Sequence, residues 1–314
     1  MSRNLKVAVV QAGSVAFDLD ATMDKLERLV KESASRGAKL AVFPEAFLSA
    51  YPKWLDFGCR IGMRRPEGRD DYHRYWNSSV EVPGPVTDRL AEIACESDMY
   101  LVVGVIERDG KTLYCTALHI APDQGLVNKH RKLMPTASER LVWGQGDGST
   151  LATMPTPYGI VGSVICWENY MPLLRTAMYA KGVSIYCTPT ADDRPTWLPT
   201  VQHVALEGRC FVLSACQIMR RKDFPEAYDT GESVDPDQVM MRGGSCIIGP
   251  LGNVIAGPVF DEETILYADL DLDDIARGGL DFDVVGHYSR PDIFRLQINE
   301  SPQTNTSFED WHPK

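Results

Sequence analysis

The chain has 314 residues, 44% of them hydrophobic and 24% charged, a composition typical of a globular protein and not of a disordered or repetitive one. Its 43 acidic and 32 basic residues give a net charge of −11, which argues against nucleic acid or an anionic membrane as the main partner, because both bind clustered positive charge. No apolar run approaches the ~20 residues of a membrane-spanning helix.

The first half of the chain predicts strands that alternate with helices. Short runs of β-branched and other apolar residues, bounded by turn residues, are typical of buried strands. Such runs lie at residues 5–11, 40–43, 100–106, 113–120 and 126–133. Between the first two runs, residues 19–36 repeat apolar side chains with the period of a helix, and a shorter helix follows Pro85.

A second set of similar units begins after Gly159. Strands are predicted at residues 160–165, 183–188, 211–217, 245–248, 253–256 and 264–270. Helices are predicted from Pro172 to about Gly182 and from about Thr196 to Glu207. This alternation predicts an α/β protein with helices on its sheet faces, and the chain has no long polar linker that would divide it into two domains.

Residues 52–79 are the exception to this alternation. The segment is rich in Arg, Trp and Tyr and shows no clear helical or strand period. We expect it to be irregular, and long irregular insertions tend to be functional. It follows closely on the second predicted strand, which places it near the end of the sheet where ligands bind in α/β proteins.

The eight cysteines show neither a CxxC pair nor the spacing of a small disulfide-bonded domain. Most lie in apolar, strand-like runs, so we interpret them as buried small hydrophobic residues. The first residues lead straight into a strand without the apolar core of a signal peptide, and we therefore expect a cytoplasmic protein. The six histidines form no HExxH motif and no Cys/His cluster, which argues against a metal site.

Three polar residues, Glu45, Lys132 and Cys166, lie at the ends of predicted strands, where ligands bind in open α/β sheets. A cysteine between a strand end and a helix N-terminus is well placed to be a thiolate, because the helix end and a nearby lysine lower its pKa. Glu45 could take the thiol proton and Lys132 could stabilise an anion on the substrate. On spacing alone, a buried cysteine and two solvated charges remain the more ordinary interpretation, because the Cys/His motif of cysteine proteases is absent.

Each of these residues lies in a distinctive block of sequence: Phe43-Pro44-Glu45-Ala46-Phe47, Lys129-His130-Arg131-Lys132-Leu133 and Cys166-Trp167-Glu168-Asn169. The three blocks resemble the signature blocks of the nitrilase superfamily, the carbon–nitrogen hydrolases. The nitrilase branch is the most similar, since residues 129–150, 166–180 and 286–292 resemble nitrilases almost throughout. We expect a carbon–nitrogen hydrolase (nitrilase) domain at 5–296 and a short C-terminal tail at 297–314.

The resemblance implies a four-layer αββα sandwich and a catalytic triad of Glu45, Lys132 and Cys166. It also implies a catalytic role for Glu139. The ordinary alternative is that Glu139 only forms a salt bridge, either with Arg140 or with another local cation. The implied reaction is hydrolysis of an organic nitrile to a carboxylic acid and ammonia. It proceeds through a thioimidate and a thioester on the cysteine, with no cofactor.

The same resemblance suggests which side chains contact the substrate. The matching positions are Trp167, Pro189, Thr190 and Ala191 around the nucleophile. Tyr51 and Trp54 lie shortly after Glu45 in the sequence and are candidates to line the entrance. For Tyr51 and Trp54, loop aromatics that pack on the surface of the core are at least as good an interpretation. These positions leave open whether the nitrile is aliphatic, aromatic or arylacetic.

The family resemblance also implies a homodimer that assembles into larger homo-oligomers. The helix that begins at Pro172 follows directly on Cys166, and Leu173, Ala177 and Met178 are predicted on one of its faces. We expect this helix to be buried between subunits, so that assembly holds the turn of the nucleophile in position.

Three alternative functions are considered. A cyanide dihydratase or cyanide hydratase of the same branch would share every residue quoted above. An aliphatic amidase or carbamoylase is disfavoured, because such relatives tend to carry a different residue pair after the nucleophilic cysteine than Trp167-Glu168. A non-catalytic scaffold would be expected to lack at least one of Glu45, Lys132 and Cys166, and all three are present.

Overall fold

Strands and helices alternate along most of the chain in the computed structural model, which describes residues 4–226, 228, 235–304 and 306. The strands are β1 (Asn4–Gln11), β2 (Leu40–Val42), β3 (Cys59–Arg60), β4 (Met63–Arg64), β5 (Tyr100–Asp109), β6 (Thr112–Ala121), β7 (Gly125–Arg131), β8 (Thr153–Thr156), β9 (Gly159–Ser163), β10 (Val183–Thr190), β11 (Phe211–Cys216), β12 (Ile218–Arg220), β13 (Val239–Ile248), β14 (Val254–Phe260) and β15 (Thr264–Asp271). The α-helices are α1 (Leu19–Ser35), α2 (Glu67–Asn77), α3 (Pro85–Ser97), α4 (Pro172–Ala180), α5 (Trp197–Gly208) and α6 (Asp273–Gly278).

Two mixed sheets contain most of these strands. The first has the order β15-β1-β2-β5-β6-β7, and the second has the order β12-β13-β11-β10-β9-β8 with β14 paired to β13. Strands β1, β2 and β5 are parallel to one another, as are β9, β10 and β11. Parallel neighbours need a crossover connection, and α1, α3, α4 and α5 lie in those connections.

Three hydrophobic clusters show how the sheets and helices stack. In β1, Val7 and Val9 point toward the second sheet and pack in one cluster with residues such as Leu213 of β11. The alternate residues of β1 face the other way, against α1 and α3, as the two-residue period of a strand requires. Helices α4 and α5 cover the outer face of the second sheet in the same manner. The order of layers is therefore helix, sheet, sheet, helix, which confirms the predicted αββα sandwich.

The segment 52–79 is not irregular throughout, and this expectation was wrong. It contains the hairpin β3–β4 and the three-turn helix α2. Most of α2 is polar, and only Gly68 and Tyr75 of its residues are buried. A helix with so few buried positions leaves no apolar period in the sequence, which is why the prediction missed it.

Helix α4 begins at Pro172 as predicted, but the prediction of which of its side chains are buried between subunits is wrong in part. Ala177 and Met178 are each 1% exposed within the single chain, and Met178 packs in the apolar cluster between the second sheet and its helices. Leu173, on the first turn of the helix, is 69% exposed. Of the three side chains predicted at the interface, Leu173 alone is exposed to another subunit.

The eight cysteines are all free, and most are buried, as expected for small hydrophobic residues. Cys95 is exposed and Cys59 is half-buried, so these two depart from that interpretation. Across the described part of the chain, no helix combines the length and the apolar character needed to cross a bilayer.

Candidate active site

The ends of several strands bring the predicted site residues to one edge of the sandwich. Glu45 follows β2 and Lys132 follows β7 in the first sheet, while Cys166 follows β9 in the second. The Lys132 ammonium donates to Glu45 Oε1 at 2.7 Å and to Glu139 Oε2 at 2.9 Å. Cys166 lies in the same apolar cluster as Ala46, next to Glu45. The structure thus gathers side chains that are far apart in sequence into one buried group.

The loop that carries Glu45 is held closely against both sheets. Gly104 of β5 lies beneath it, and a Cβ on that residue would meet the carbonyl oxygen of Pro44 at 2.1 Å. The Gln217 amide donates to the Glu45 carbonyl at 2.9 Å from the end of β11. The Glu45 side chain is fully buried, and its Oε2 has no hydrogen-bond partner among the described residues. One carboxylate oxygen therefore remains available to accept a proton.

Glu139 is bound on both of its carboxylate oxygens. Its Oε1 accepts the Tyr51 hydroxyl at 2.7 Å, and its Oε2 accepts the Thr136 backbone N–H at 2.6 Å in addition to Lys132. The expected alternative, a salt bridge with Arg140, is not formed, because Arg140 instead donates to the Pro135 carbonyl at 3.0 Å. The local cation that Glu139 pairs with is Lys132 itself.

Two carboxylates therefore share one buried ammonium, and this arrangement shifts the pKa of Lys132 and the pKa of Glu45. Burial lowers the pKa of Lys132, but the charges of Glu45 and its neighbours outweigh burial, so that the pKa stands well above its ordinary value. Burial raises the pKa of Glu45; Lys132 opposes this shift and Glu139 adds to it. The lysine is thus a permanent cation, and Glu45 is a stronger base than an ordinary carboxylate.

The expectation of a low thiol pKa is wrong for the resting site. Burial and the negative charge of Glu45 raise the pKa of Cys166, and Lys132 offsets this only in part. Cys166 opens a 3-10 turn at Cys166–Tyr170, and α4 begins only at Pro172, six residues further along the chain. Cys166 therefore rests as a thiol, and a nucleophilic role would require removal of its proton.

The backbone around Cys166 is held in a strained conformation by its neighbours. Cys166 has a φ of 51°, in the left-handed region that non-glycine residues rarely adopt. The Asn169 amide donates to the carbonyls of Val164 at 3.1 Å and Cys166 at 2.8 Å, and Arg175 donates to the Asn169 carbonyl at 2.6 Å. This conformation holds the buried Cys166 at the end of β9, where the residue lines a cavity.

A cavity of about 200 Å³ opens over the thiol. It is lined by Tyr51, Lys53, Thr136, Glu139, Cys166, Trp167, Ala191, Asp192, Asp193 and Arg194. Of the predicted substrate-binding residues, Tyr51, Trp167 and Ala191 line this cavity. A second cavity of about 360 Å³ shares Tyr51, Lys53 and Glu139 with it.

The other predicted substrate-binding residues occupy different places. Thr190 is buried and its hydroxyl donates to the Cys166 sulfur at 3.2 Å, so it contacts the predicted nucleophile. Pro189 is buried within β10, one residue further from the site. Trp54 is 45% exposed and lines the second cavity rather than the one over the thiol.

Sequence reasoning missed an ion pair that supports the cavity wall. The Arg194 guanidinium donates to both oxygens of Asp192 at 2.8 and 2.6 Å and lies 4.6 Å from the centre of the Trp167 ring. The Trp167 indole N–H also donates to Asp192, at 2.8 Å. The sequence feature that could have indicated this ion pair is the run Asp192-Asp193-Arg194. It follows the end of β10, at the same edge of the sheet as Cys166. This pair holds the Trp167 ring in place beside the thiol.

Comparison with known proteins identifies the family. A family model described as carbon-nitrogen hydrolase matches residues 6–278. The chain belongs to the carbon–nitrogen hydrolase family. Like other carbon–nitrogen hydrolases, it is a hydrolase that acts on carbon–nitrogen bonds, as the sequence blocks implied. Within the described residues of this hydrolase, no three His, Cys, Asp or Glu side chains are grouped as metal ligands.

Relatives place this carbon–nitrogen hydrolase in the nitrilase branch. It is 59% identical over 299 residues to an aliphatic nitrilase of Sinorhizobium fredii, a match that covers 95% of this chain and 97% of the relative. It is 50% identical over 320 residues to an arylacetonitrilase of Trametes versicolor, with 98% and 100% covered. The crystal structure of a carbon-nitrogen hydrolase from Helicobacter pylori has the same fold, with a TM-score of 0.72 at 18% identity, covering 92% of this chain and 96% of that one.

Proposed function

We propose that this hydrolase is a nitrilase that converts an organic nitrile and two waters to a carboxylic acid and ammonia, with Cys166 as the nucleophile. The observation that carries the proposal is the pairing of Glu45 and Glu139 on one buried Lys132 beside the cysteine. The nitrilase names of relatives that are 50% and 59% identical over nearly the whole chain support the same conclusion.

The first half of the reaction forms a thioimidate. The Cys166 sulfur attacks the nitrile carbon while its proton passes to Glu45, whose Oε2 is unpartnered among the described residues. One bond of the C≡N group breaks, and its electron pair moves to the nitrogen. The fixed positive charge of Lys132 stabilises that developing anion, and the proton held by Glu45 passes on to the nitrogen. The result is a neutral thioimidate on the sulfur.

The second half releases both products. Glu45 takes a proton from a water molecule, and the oxygen of that water adds to the thioimidate carbon to give a tetrahedral intermediate. Glu45 returns that proton to the nitrogen, and the hydroxyl proton of the intermediate follows by way of Glu45. The C–N bond then breaks, ammonia leaves, and the new C=O bond makes a thioester on Cys166. A second water, activated in the same way, hydrolyses the thioester to the acid and returns the thiol.

The charges around Lys132 explain why Glu45 acts as the base and Glu139 does not. Glu139 accepts hydrogen bonds from Tyr51, Thr136 and Lys132, so both of its oxygens are occupied. Its charge raises the pKa of Glu45 and thereby makes Glu45 a better proton acceptor. We therefore assign Glu139 an electrostatic role and Glu45 the proton transfers.

The cavity over the thiol can hold the nitrile group together with its substituent. Its volume is about 200 Å³, and the cavity of about 360 Å³ that shares Tyr51, Lys53 and Glu139 with it adds room for the substituent. Trp167 and Tyr51 offer aromatic surface to the substituent, and the polar wall at Asp192 and Arg194 is already paired internally. Cyanide conversion and amide hydrolysis are the rival reactions at this site.

A product balance separates these reactions. The purified protein is offered aliphatic, aromatic and arylacetic nitriles, the amide corresponding to each, and cyanide, while acid, amide and ammonia are quantified. We expect acid and ammonia in equal amounts from at least one organic nitrile, with amide a minor product and a poor substrate. Rapid hydrolysis of the amide with none of the nitrile would assign the protein to the amidases. Activity on cyanide alone would assign it to the cyanide-converting enzymes.

We also propose a homodimer that grows into larger homo-oligomers, with 5–296 as the hydrolase domain, 297–314 as a tail and a cytoplasmic location. Large apolar side chains on the surface support the assembly, because exposed hydrophobic patches are typical of contact sites. Examples are Leu173 at 69% and Phe294 at 77% exposure. The nitrile is the only small-molecule partner that we propose.

A further inference from the structure

A buried carboxylate that the proposed reaction does not use connects the lysine and cysteine segments of the site. Glu168 is 1% exposed. Its Oε1 accepts the Leu133 N–H at 2.6 Å, and its Oε2 accepts the Ile165 N–H at 2.8 Å. These amides belong to the residue after Lys132 and the residue before Cys166. One side chain therefore links the backbones of the two sheets beside the two reacting groups.

The charge of Glu168 is balanced by His130, which lies on β7 two residues before Lys132. His130 Nε2 lies 2.9 Å from Glu168 Oε2, and its Nδ1 lies 3.1 Å from the Thr150 carbonyl oxygen. An imidazole between two acceptor oxygens satisfies both only when both nitrogens carry a proton, which makes it a cation. Burial lowers the pKa of His130, but the charge of Glu168 outweighs burial and raises it. The pair is thus a buried ion pair.

A carboxylate is needed at this position because it must accept on both oxygens at once. A glutamine of the same shape accepts on one oxygen only, and its –NH₂ group would face the other backbone N–H. A buried N–H without an acceptor costs about 1–3 kcal/mol, so the local backbone would shift to avoid it. Such a shift would change the separation of the Lys132 ammonium and the Cys166 sulfur.

We propose that Glu168, paired with His130, is a positioning residue that fixes Cys166 relative to Lys132. The inference rests on the proposed function, from which the roles of Cys166 and Lys132 are taken. Displacement of reacting groups by about 1 Å lowers rates by about 10²-fold. The hydrogen bonds of the Glu168 side chain go to His130, Leu133 and Ile165, none of which lines the cavity, so substrate binding should be little affected.

The variant Glu168→Gln tests this positioning. We expect kcat to fall by about 10- to 100-fold, while KM changes by less than about threefold. Alkylation of Cys166 by iodoacetamide, followed by mass spectrometry of its peptide, should slow by a similar factor. The alkylation rate needs no nitrile, and it reports the state of the nucleophile directly.

The matched control is Glu107→Gln. Glu107 of β5 is also 1% exposed and pairs with Lys129 and Arg131 of β7, the strand that carries His130. Its side-chain hydrogen bonds go to Thr116, Lys129 and Arg131, and none goes to residue 133 or 165. Both variants remove a buried carboxylate from an ion pair, so we expect comparable losses in melting temperature. In Glu107→Gln, kcat and the alkylation rate should stay within about threefold of the parent protein.

Equal losses of kcat and alkylation rate in the two variants would overturn the proposal, because Glu168 would then contribute only to stability. If Glu168→Gln does not fold, His130→Gln takes its place; it removes the cation and leaves both backbone contacts of Glu168 possible. We expect kcat to fall about tenfold there, and an unchanged kcat and alkylation rate would overturn the proposal. A parent protein that hydrolyses no nitrile, but whose Cys166 alkylation slows only in Glu168→Gln, would refute the nitrilase function and retain the positioning role.

Discussion

Replacement of Glu139 by Gln isolates the charge of the second carboxylate on Lys132. The amide can keep its oxygen toward Lys132 and Thr136, and the Tyr51 hydroxyl can rotate to accept from the amide nitrogen. The shape of the site and its hydrogen bonds are therefore retained. Only the negative charge is lost, so any change in turnover reports an electrostatic role.

The size of the effect follows from the geometry. At the 2.9 Å separation of Lys132 and Glu139, two unit charges attract by about 6 kcal/mol at an effective dielectric constant of about 20. Only the part that differs between ground state and transition state affects the rate. A decrease of about 10²-fold in kcat corresponds to about 2.7 kcal/mol, less than half of that attraction. We expect a decrease of this order.

The pH dependence gives a second and independent measurement. The charge of Glu139 raises the pKa of Glu45, so its removal should lower that pKa. Glu45 must be ionised to accept a proton, and the acidic limb of kcat/KM should therefore move to lower pH in Glu139→Gln. Ammonia release is measured across pH, with Tyr51→Phe as the control, because that variant removes one hydrogen bond to Glu139 and keeps its charge. A near-normal rate and an unmoved acidic limb in Glu139→Gln would refute the electrostatic role.

Two further predictions concern the nucleophile and the subunit contact. Cys166→Ala should abolish ammonia release with the fold intact. Cys187→Ala, the control, should lower the free energy of unfolding by about 1 kcal/mol and leave turnover unchanged. Ammonia release by the Cys166→Ala variant would refute Cys166 as the nucleophile. Ala177→Asp should lower the melting temperature of each subunit, because Ala177 is buried within it. Leu173→Asp should weaken assembly in analytical ultracentrifugation, and an unchanged oligomer would exclude that face of α4 from the interface.

The fold could be predicted where burial leaves a periodic pattern in the sequence. In β1, Val7 and Val9 face one layer and Val10 faces another, so the whole strand is apolar and its boundaries are clear. Helix α2 carries almost no such pattern, because it lies on the surface with Tyr75 as its main anchor. Burial, rather than length, therefore decides which strands and helices can be predicted from the sequence.

The sequence predicts which residues form the candidate site, but it does not predict their protonation states. Strand ends and family blocks identified Glu45, Lys132 and Cys166, because the topology of the sheets brings such positions together. The protonation of the thiol could not be predicted in this way, since it depends on burial and on the charge of Glu45 in three dimensions. The roles of Asp192 and Glu168 likewise depend on contacts between distant segments, which residue spacing does not reveal.

The covalent state of Cys166 during turnover provides the most direct evidence for or against nucleophilic attack by this residue. The protein is mixed with an isotopically labelled nitrile that it hydrolyses, quenched rapidly in acid, digested and examined by mass spectrometry. We expect a thioimidate or thioester adduct on the peptide that contains Cys166, absent without substrate, and no adduct on Cys115 or the other cysteines. An adduct on a different cysteine, or continued product formation by Cys166→Ala, would contradict the proposed mechanism.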